Sequence, residues 1–80
     1  MLSDLKTGTK VTGAKQVTRA LKNGSARRVY LAQDADPRVT EPVEILCREQ
    51  GVETVAVPAM TELGAACGIA VGSAVAALVE

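Results

Sequence analysis

Apolar residues along this chain recur at two periods, and the two alternate. Ala14, Val17, Ala20 and Leu21 fall at i, i+3 and i+4 spacing, which predicts a helix over 14–23 with Lys15, Gln16, Arg19 and Lys22 on its other face. Gly24 is a natural stop for it. Arg28 to Ala32 reads as a strand, with Val29 and Leu31 on one side and Tyr30 and Ala32 on the other. A strand apolar on both faces suits the middle of a sheet covered by helices. Asp34-Ala35-Asp36-Pro37 then reads as a turn. Thr40 is the cap expected for the next helix, with Pro42 in its first turn, Val43, Leu46 and Cys47 facing inward, and Gly51 at its end. Glu53 to Val57 is a third extended run, closed by Pro58. Thr61 is the expected cap of a helix whose inner face carries Met60, Leu63, Gly64 and Cys67 and which Gly68 stops. Ser73 to Val79 is the last strand, and Lys10-Val11-Thr12, ended by Gly13, is a short first one.

The order is β-α-β-α-β-α-β, with no linker and no internal repeat. Strands alternating with helices predict an α/β fold: a three-layer α/β/α sandwich around a four-stranded mixed sheet. One domain spans residues 1–80, its core running from about 10 to 79, with Val29, Leu31, Leu46, Val55, Val57, Leu63 and Val75 inside.

Composition narrows the chemistry. The chain has no His, which removes Ser-His-Asp and Cys-His catalysis and His-ligated metals. Tyr30 is the sole aromatic residue, so bases cannot be read by stacking on an aromatic platform. Cys47 and Cys67 lack CxxC partners and sit among apolar residues, as reduced core cysteines do. The opening Met1-Leu2-Ser3-Asp4-Leu5-Lys6 has no signal-peptide pattern, and the apolar stretch from Ile69 to Val79 is too short and too rich in Gly and Ala to span a bilayer. A cytoplasmic protein without a membrane partner is expected.

The net charge of zero conceals a split. Lys6, Lys10, Lys15, Arg19, Lys22, Arg27 and Arg28 face only Asp4 in the first 30 residues, whereas the remainder sets Arg38 and Arg48 against every other carboxylate. A basic end of this kind is suited to an anionic partner.

Two local patterns resemble catalytic motifs and fail on inspection. An Asp-x-Asp after a strand is how some Mg²⁺-dependent phosphatases present a nucleophile and an acid, but the further Lys and acidic motifs they need have no room here. Asp34 and Asp36 are more simply turn-capping residues. Gly8-Thr9-Lys10-Val11-Thr12-Gly13-Ala14-Lys15 nearly spells a phosphate loop, but the Lys falls one residue late, no Ser or Thr follows it, and no apolar strand precedes it. No catalytic constellation, metal site or cofactor motif results, so a binding module rather than an enzyme is expected. Gly13-Ala14-Lys15-Gln16-x-x-Arg19 is the better candidate. It puts a glycine turn, free N–H groups and the positive dipole end of a helix beside side chains that reach base edges and phosphates.

Three blocks occur in order: Gly13-Ala14-Lys15-Gln16-Val17-Thr18-Arg19-Ala20-Leu21, Leu31-Ala32-Gln33-Asp34-Ala35-Asp36-Pro37 and Leu63-Gly64-Ala65-Ala66-Cys67-Gly68-Ile69. Together they strongly resemble the kink-turn-binding ribosomal proteins of the L-seven-Ae and L-thirty-e type, above all the short bacterial members, over about 10–79. The resemblance implies binding of kink-turn RNA, a duplex bent at a short bulge beside sheared G·A pairs. It implies that Gly13, Ala14, Lys15, Gln16 and Arg19 meet the G·A pairs and nearby backbone. Asp34 and Asp36 would lie on the same RNA-facing edge, and Ile69, Ala70, Val71 and Gly72 would cover the bulged nucleotides. Lys15-Gln16 stands where archaeal members usually carry Asn-Glu, a swap that bacterial members share, and Ala70 replaces a Glu common in that loop. The implied partner is structured RNA with a kink-turn, ribosomal RNA among the candidates, bound by a monomer without a cofactor. A protein-interaction or scaffold module whose basic edge holds an acidic partner is the alternative left open by the residues alone.

Overall fold

A computed structural model describes residues 3–79. Met1, Leu2 and Glu80, which belong to the expected domain and, for the first two, to the segment read for a targeting signal, lie outside the described residues. The elements run α1 (Ser3–Thr7), β1 (Lys10–Thr12), α2 (Ala14–Lys22), β2 (Ala26–Ala32), α3 (Pro37–Gln50), β3 (Glu53–Val57), α4 (Met60–Ala66) and β4 (Val75–Val79). The strands form one sheet in the order β1-β4-β2-β3. β4 is antiparallel to both neighbours and β2 is parallel to β3, so β1, β2 and β3 point one way and β4 the other.

β2 explains the layers, because successive side chains leave opposite faces of a strand. Val29 and Leu31 pack with Val17 and Leu21 of α2, Val43 and Cys47 of α3, and Val75 and Ala77 of β4. Tyr30 and Ala32 point the other way, into a cluster with Leu5 of α1, Leu63 and Ala66 of α4, and Ala76. Helices α2 and α3 thus cover one face, and α1 and α4 the other. This is the expected α/β/α sandwich with a mixed sheet.

Several boundaries differ from the sequence expectation. Helix α1 was not expected: it is a single turn held by Leu5, which is fully buried. α3 begins at Pro37 rather than after Thr40, because the Asp36 side chain accepts from the Arg38 N–H (2.9 Å) and Pro37 supplies a preset helical φ. Pro42 therefore lies inside the helix, on its exposed side. α4 begins at Met60, one residue before the expected cap Thr61. β4 begins at Val75 because Ser73 is drawn into the preceding turn, its hydroxyl donating to the Val75 carbonyl (2.7 Å). Of the residues expected in the core, Val29, Leu31, Val57, Leu63 and Val75 are buried. Leu46 and Val55 are only half-buried, one at the flank of the Val43–Cys47 stripe and the other on the edge strand β3. Cys47 and Cys67 are buried and free, and burial pushes both thiols above their ordinary range.

Candidate nucleic-acid interface

The strand directions gather one rim of the sheet into a site. Gly13 follows β1, Gln33 to Asp36 follow β2, Pro58 and Ala59 follow β3, and Ser73 and Ala74 precede β4, all at the same end. Hydrogen bonds tie these segments together: the Gly13 N–H donates to the Val75 carbonyl (3.1 Å), Ala32 to Ala74 (2.9 Å), Gln33 to Val57 (2.7 Å) and Ser73 to Met60 (3.0 Å). Because α2, α3 and α4 each start at this rim, their positive dipole ends converge there.

The three helix starts are not equivalent. Asp36 caps α3 and is also bonded by the Arg38 guanidinium (2.8 Å), and these contacts hold its carboxyl below the usual range. Asp34 Oδ1 accepts the Met60 N–H (2.8 Å) and so caps α4 from the far side of the chain. α2 alone has no side-chain cap: its N-cap is Gly13, at φ 92°, a conformation that L side chains rarely adopt. No carboxylate sits anywhere in α2. Among the described residues no side chain accepts from its first N–H groups, and a helix start with no carboxylate in its first turn favours an anionic partner. Lys15, Gln16 and Arg19 are exposed around it, and Lys15, Thr18, Arg19, Lys22 and Asn23 line a shallow groove along the outer side of the helix.

The second half of the rim is apolar. From Gly68 the chain runs back along α4, with Ile69 donating its N–H to the Gly64 carbonyl (3.1 Å) and Gly72 reaching Met60. Gly64 permits this close return: a Cβ there would collide with the Val71 carbonyl oxygen. The loop consequently holds its side chains outward, Val71 at 71% exposure and Ile69 at 37%, with Ala70 exposed between them.

Among the expected site residues, Gly13, Ala14, Lys15 and Gln16 form the first turn of α2, with Arg19 a turn further on. Asp34, Asp36 and the end of the loop at Val71 and Gly72 share the rim, and Ile69 and Ala70 lie further along α4. The two aspartates point their carboxylates at helix starts, which is the turn-capping role their sequence also allowed. The basic half of the chain is not one surface. Arg28 sits toward the opposite end of the sheet, bridging Asp4 (2.9 Å) and Glu53 (2.8 Å), and hydrogen bonding with Tyr30 and Glu53 raises its pKa. Lys10 also starts its strand at that far end. Sequence reasoning missed Thr18 and Asn23 in the groove and the part played by Met60, none of which carries a distinctive local signal. Among the described residues no group of three or more His, Cys, Asp or Glu is placed to hold a metal ion, and no helix is long and apolar enough to cross a membrane.

An α/β/α sandwich with one bare helix start beside an outward-facing apolar loop is the architecture of a polyanion-binding module. The chain belongs to the Ribosomal protein L7Ae/L30e/S12e/Gadd45 family, which it matches over residues 2–80. It is 44% identical over 68 residues to an RNA-binding protein of Bacillus pumilus, covering 85% of this chain and 83% of that one. It is 43% identical over 76 residues to the RNA-binding protein YbxF of Geobacillus stearothermophilus, covering 95% and 93%. The solved Giardia lamblia 15.5kD RNA binding protein superposes with a TM-score of 0.92 at 28% identity, over 99% of this chain and 70% of that one.

Proposed function

We propose that this protein binds RNA and stabilises its kink-turn form, with no catalytic step of its own. The observation that carries the reading is the uncapped, carboxylate-free start of α2 on the same rim as the Val71–Gly72 end of the exposed loop 69–72. A-form RNA closes its deep groove to side chains, and a sharp bend with a bulge opens it. Lys15, Gln16 and Arg19 offer donors, so they read the sheared G·A edges and adjacent phosphates. Ile69, Ala70 and Val71 offer apolar surface and backbone groups, so they cover the bulged nucleotides with little base preference. Only the bent RNA makes both sets of contacts, and binding therefore shifts the RNA toward it. Ribosomal RNA in the bacterial cytoplasm is the first partner to examine, with the protein acting as a monomer.

The test is a native-gel titration against a kink-turn RNA, the same RNA with its G·A pairs disrupted, and an acidic polypeptide. Tight binding to the first alone is expected. Lys15→Ala should narrow the gap between the two RNAs by about 1–3 kcal/mol, the worth of a good base contact. Equal binding to both RNAs, or a preference for the polypeptide, would refute the reading in favour of a protein-interaction module.

A further inference from the structure

We propose that Asp34 is a positioning residue: by capping α4 it fixes the seat of the loop 69–72, and it acts on RNA through that loop. The inference rests on the RNA reading above and assigns a division of labour within the same rim.

α4 cannot cap itself, since its N-cap Ala59 is extended and has no side chain able to accept the free N–H groups. Asp34 supplies the acceptor from 26 residues away, taking the Met60 N–H at 2.8 Å. Met60 in turn holds the loop. Its carbonyl accepts the Ser73 N–H (3.0 Å), and its Cβ lies 3.1 Å from the place a Gly72 Cβ would occupy. One turn along, the Gly64 carbonyl accepts the Ile69 N–H, and the bare Cα of Gly64 admits the Val71 carbonyl. The loop is thus anchored at both ends to α4. A helix of seven residues has little rigidity of its own, so the contact at its first N–H sets where the loop stands. Electrostatics is consistent with this. Asp34 is exposed on the rim, where an uncompensated carboxylate would repel phosphates, and its bond to a helix start offsets part of that charge against the dipole.

Asparagine can accept the same N–H without the charge, so Asp34→Asn and Asp34→Ala separate a capping role from direct contact. Both variants and the wild type are titrated with kink-turn RNA, with the same RNA carrying disrupted G·A pairs, and with the same RNA carrying an abasic residue at the bulged position, after circular dichroism melts confirm folding. Asp34→Asn should bind within about twofold of wild type, and Asp34→Ala about three- to tenfold more weakly, a part of the usual worth of a helix cap. The alanine loss should shrink on the abasic RNA, where the loop has less to cover. Gly64→Ala, which blocks the seat directly, should weaken binding of the intact kink-turn RNA, and combining it with Asp34→Ala should cost less than the two separately. Asn and Ala variants equally weak would mean that the carboxylate itself engages the RNA and would overturn the proposal. So would an alanine variant that binds like wild type, or full additivity with Gly64→Ala. A wild type that ignores the G·A pairs is a different result: it removes the RNA reading itself, and this inference with it.

Discussion

Leu63→Ala and Leu46→Ala apply the same truncation to two helices, and the packing predicts unequal costs. Leu63 is fully buried in α4, in the cluster with Leu5, Tyr30 and Val57. Removing three buried carbons forfeits about 2 kcal/mol of transfer free energy at roughly 0.8 kcal/mol per group. The cavity left among rigid neighbours raises the total to about 3–4 kcal/mol. Leu46 is half-buried at the flank of α3, where water fills the space, and its loss should be about 1 kcal/mol. For a domain of this size 3–4 kcal/mol corresponds to a melting-temperature drop of at least ~12 °C. With no Trp in the chain, urea unfolding is best followed by far-UV circular dichroism, and the midpoint should move at unchanged slope. Equal losses at the two positions, or a Leu63→Ala cost under about 1 kcal/mol, would show that α4 is not packed as described.

Two further outcomes concern charge. If Lys15, Arg19 and Lys22 each neutralise a phosphate, the logarithm of RNA affinity should fall against log salt with a slope near −2 to −3, and Lys22→Gln should flatten it by about 0.7–0.9. An unchanged slope would detach Lys22 from the RNA path. The Asp36 carboxyl is depressed in the folded state by its bonds to Arg38, so its contribution to stability is present above the ordinary carboxylate pKa and is lost as pH falls through the folded value. Urea midpoints of wild type and Asp36→Asn, which keeps the cap and loses the ion pair, should therefore converge in acid; a gap that widens in acid contradicts the pairing.

The periodic parts of this fold could be read directly from sequence. α2 is placed nearly to the residue and β2 to within two, Ala26 and Arg27 extending it beyond the expected start at Arg28, because each has enough turns or alternations to declare its period. α1 is one turn long and shows no period, so the packing of Leu5 alone reveals it. The start of α3 was misplaced because Asp36 and Thr40 are both competent caps and only the accepted hydrogen bond distinguishes them. α4 carries no cap of its own, and a cap borrowed from Asp34 across 26 residues leaves no local trace. For the site, the Gly13-Lys15-Gln16-Arg19 cluster was legible as a helix start bearing donors. What charge counting missed is that Arg28 belongs to the far end of the sheet, already matched by Asp4 and Glu53. The Leu63-Gly64 pair was visible on an inner helix face, but the carbonyl that requires a glycine there comes from the loop seven residues on.

The strand order has a consequence for synthesis. β4 comes last in the chain yet lies between β1 and β2, which have no bonds to each other across the sheet. While the polypeptide emerges from the ribosome, only the β2-α3-β3 unit can pair its strands, and β1 waits alone with both edges open. The sheet closes in one late step, when Val75 to Val79 are free to slide between strands made much earlier. Residues separated by most of the chain must then meet, Lys10 with Leu78 and Thr12 with Ala76. Such closure is slow relative to helix formation and all-or-none in character. Pairing of β4, rather than the appearance of α2 and its donors, therefore times the assembly of the rim that carries Gly13, Asp34 and Gly72.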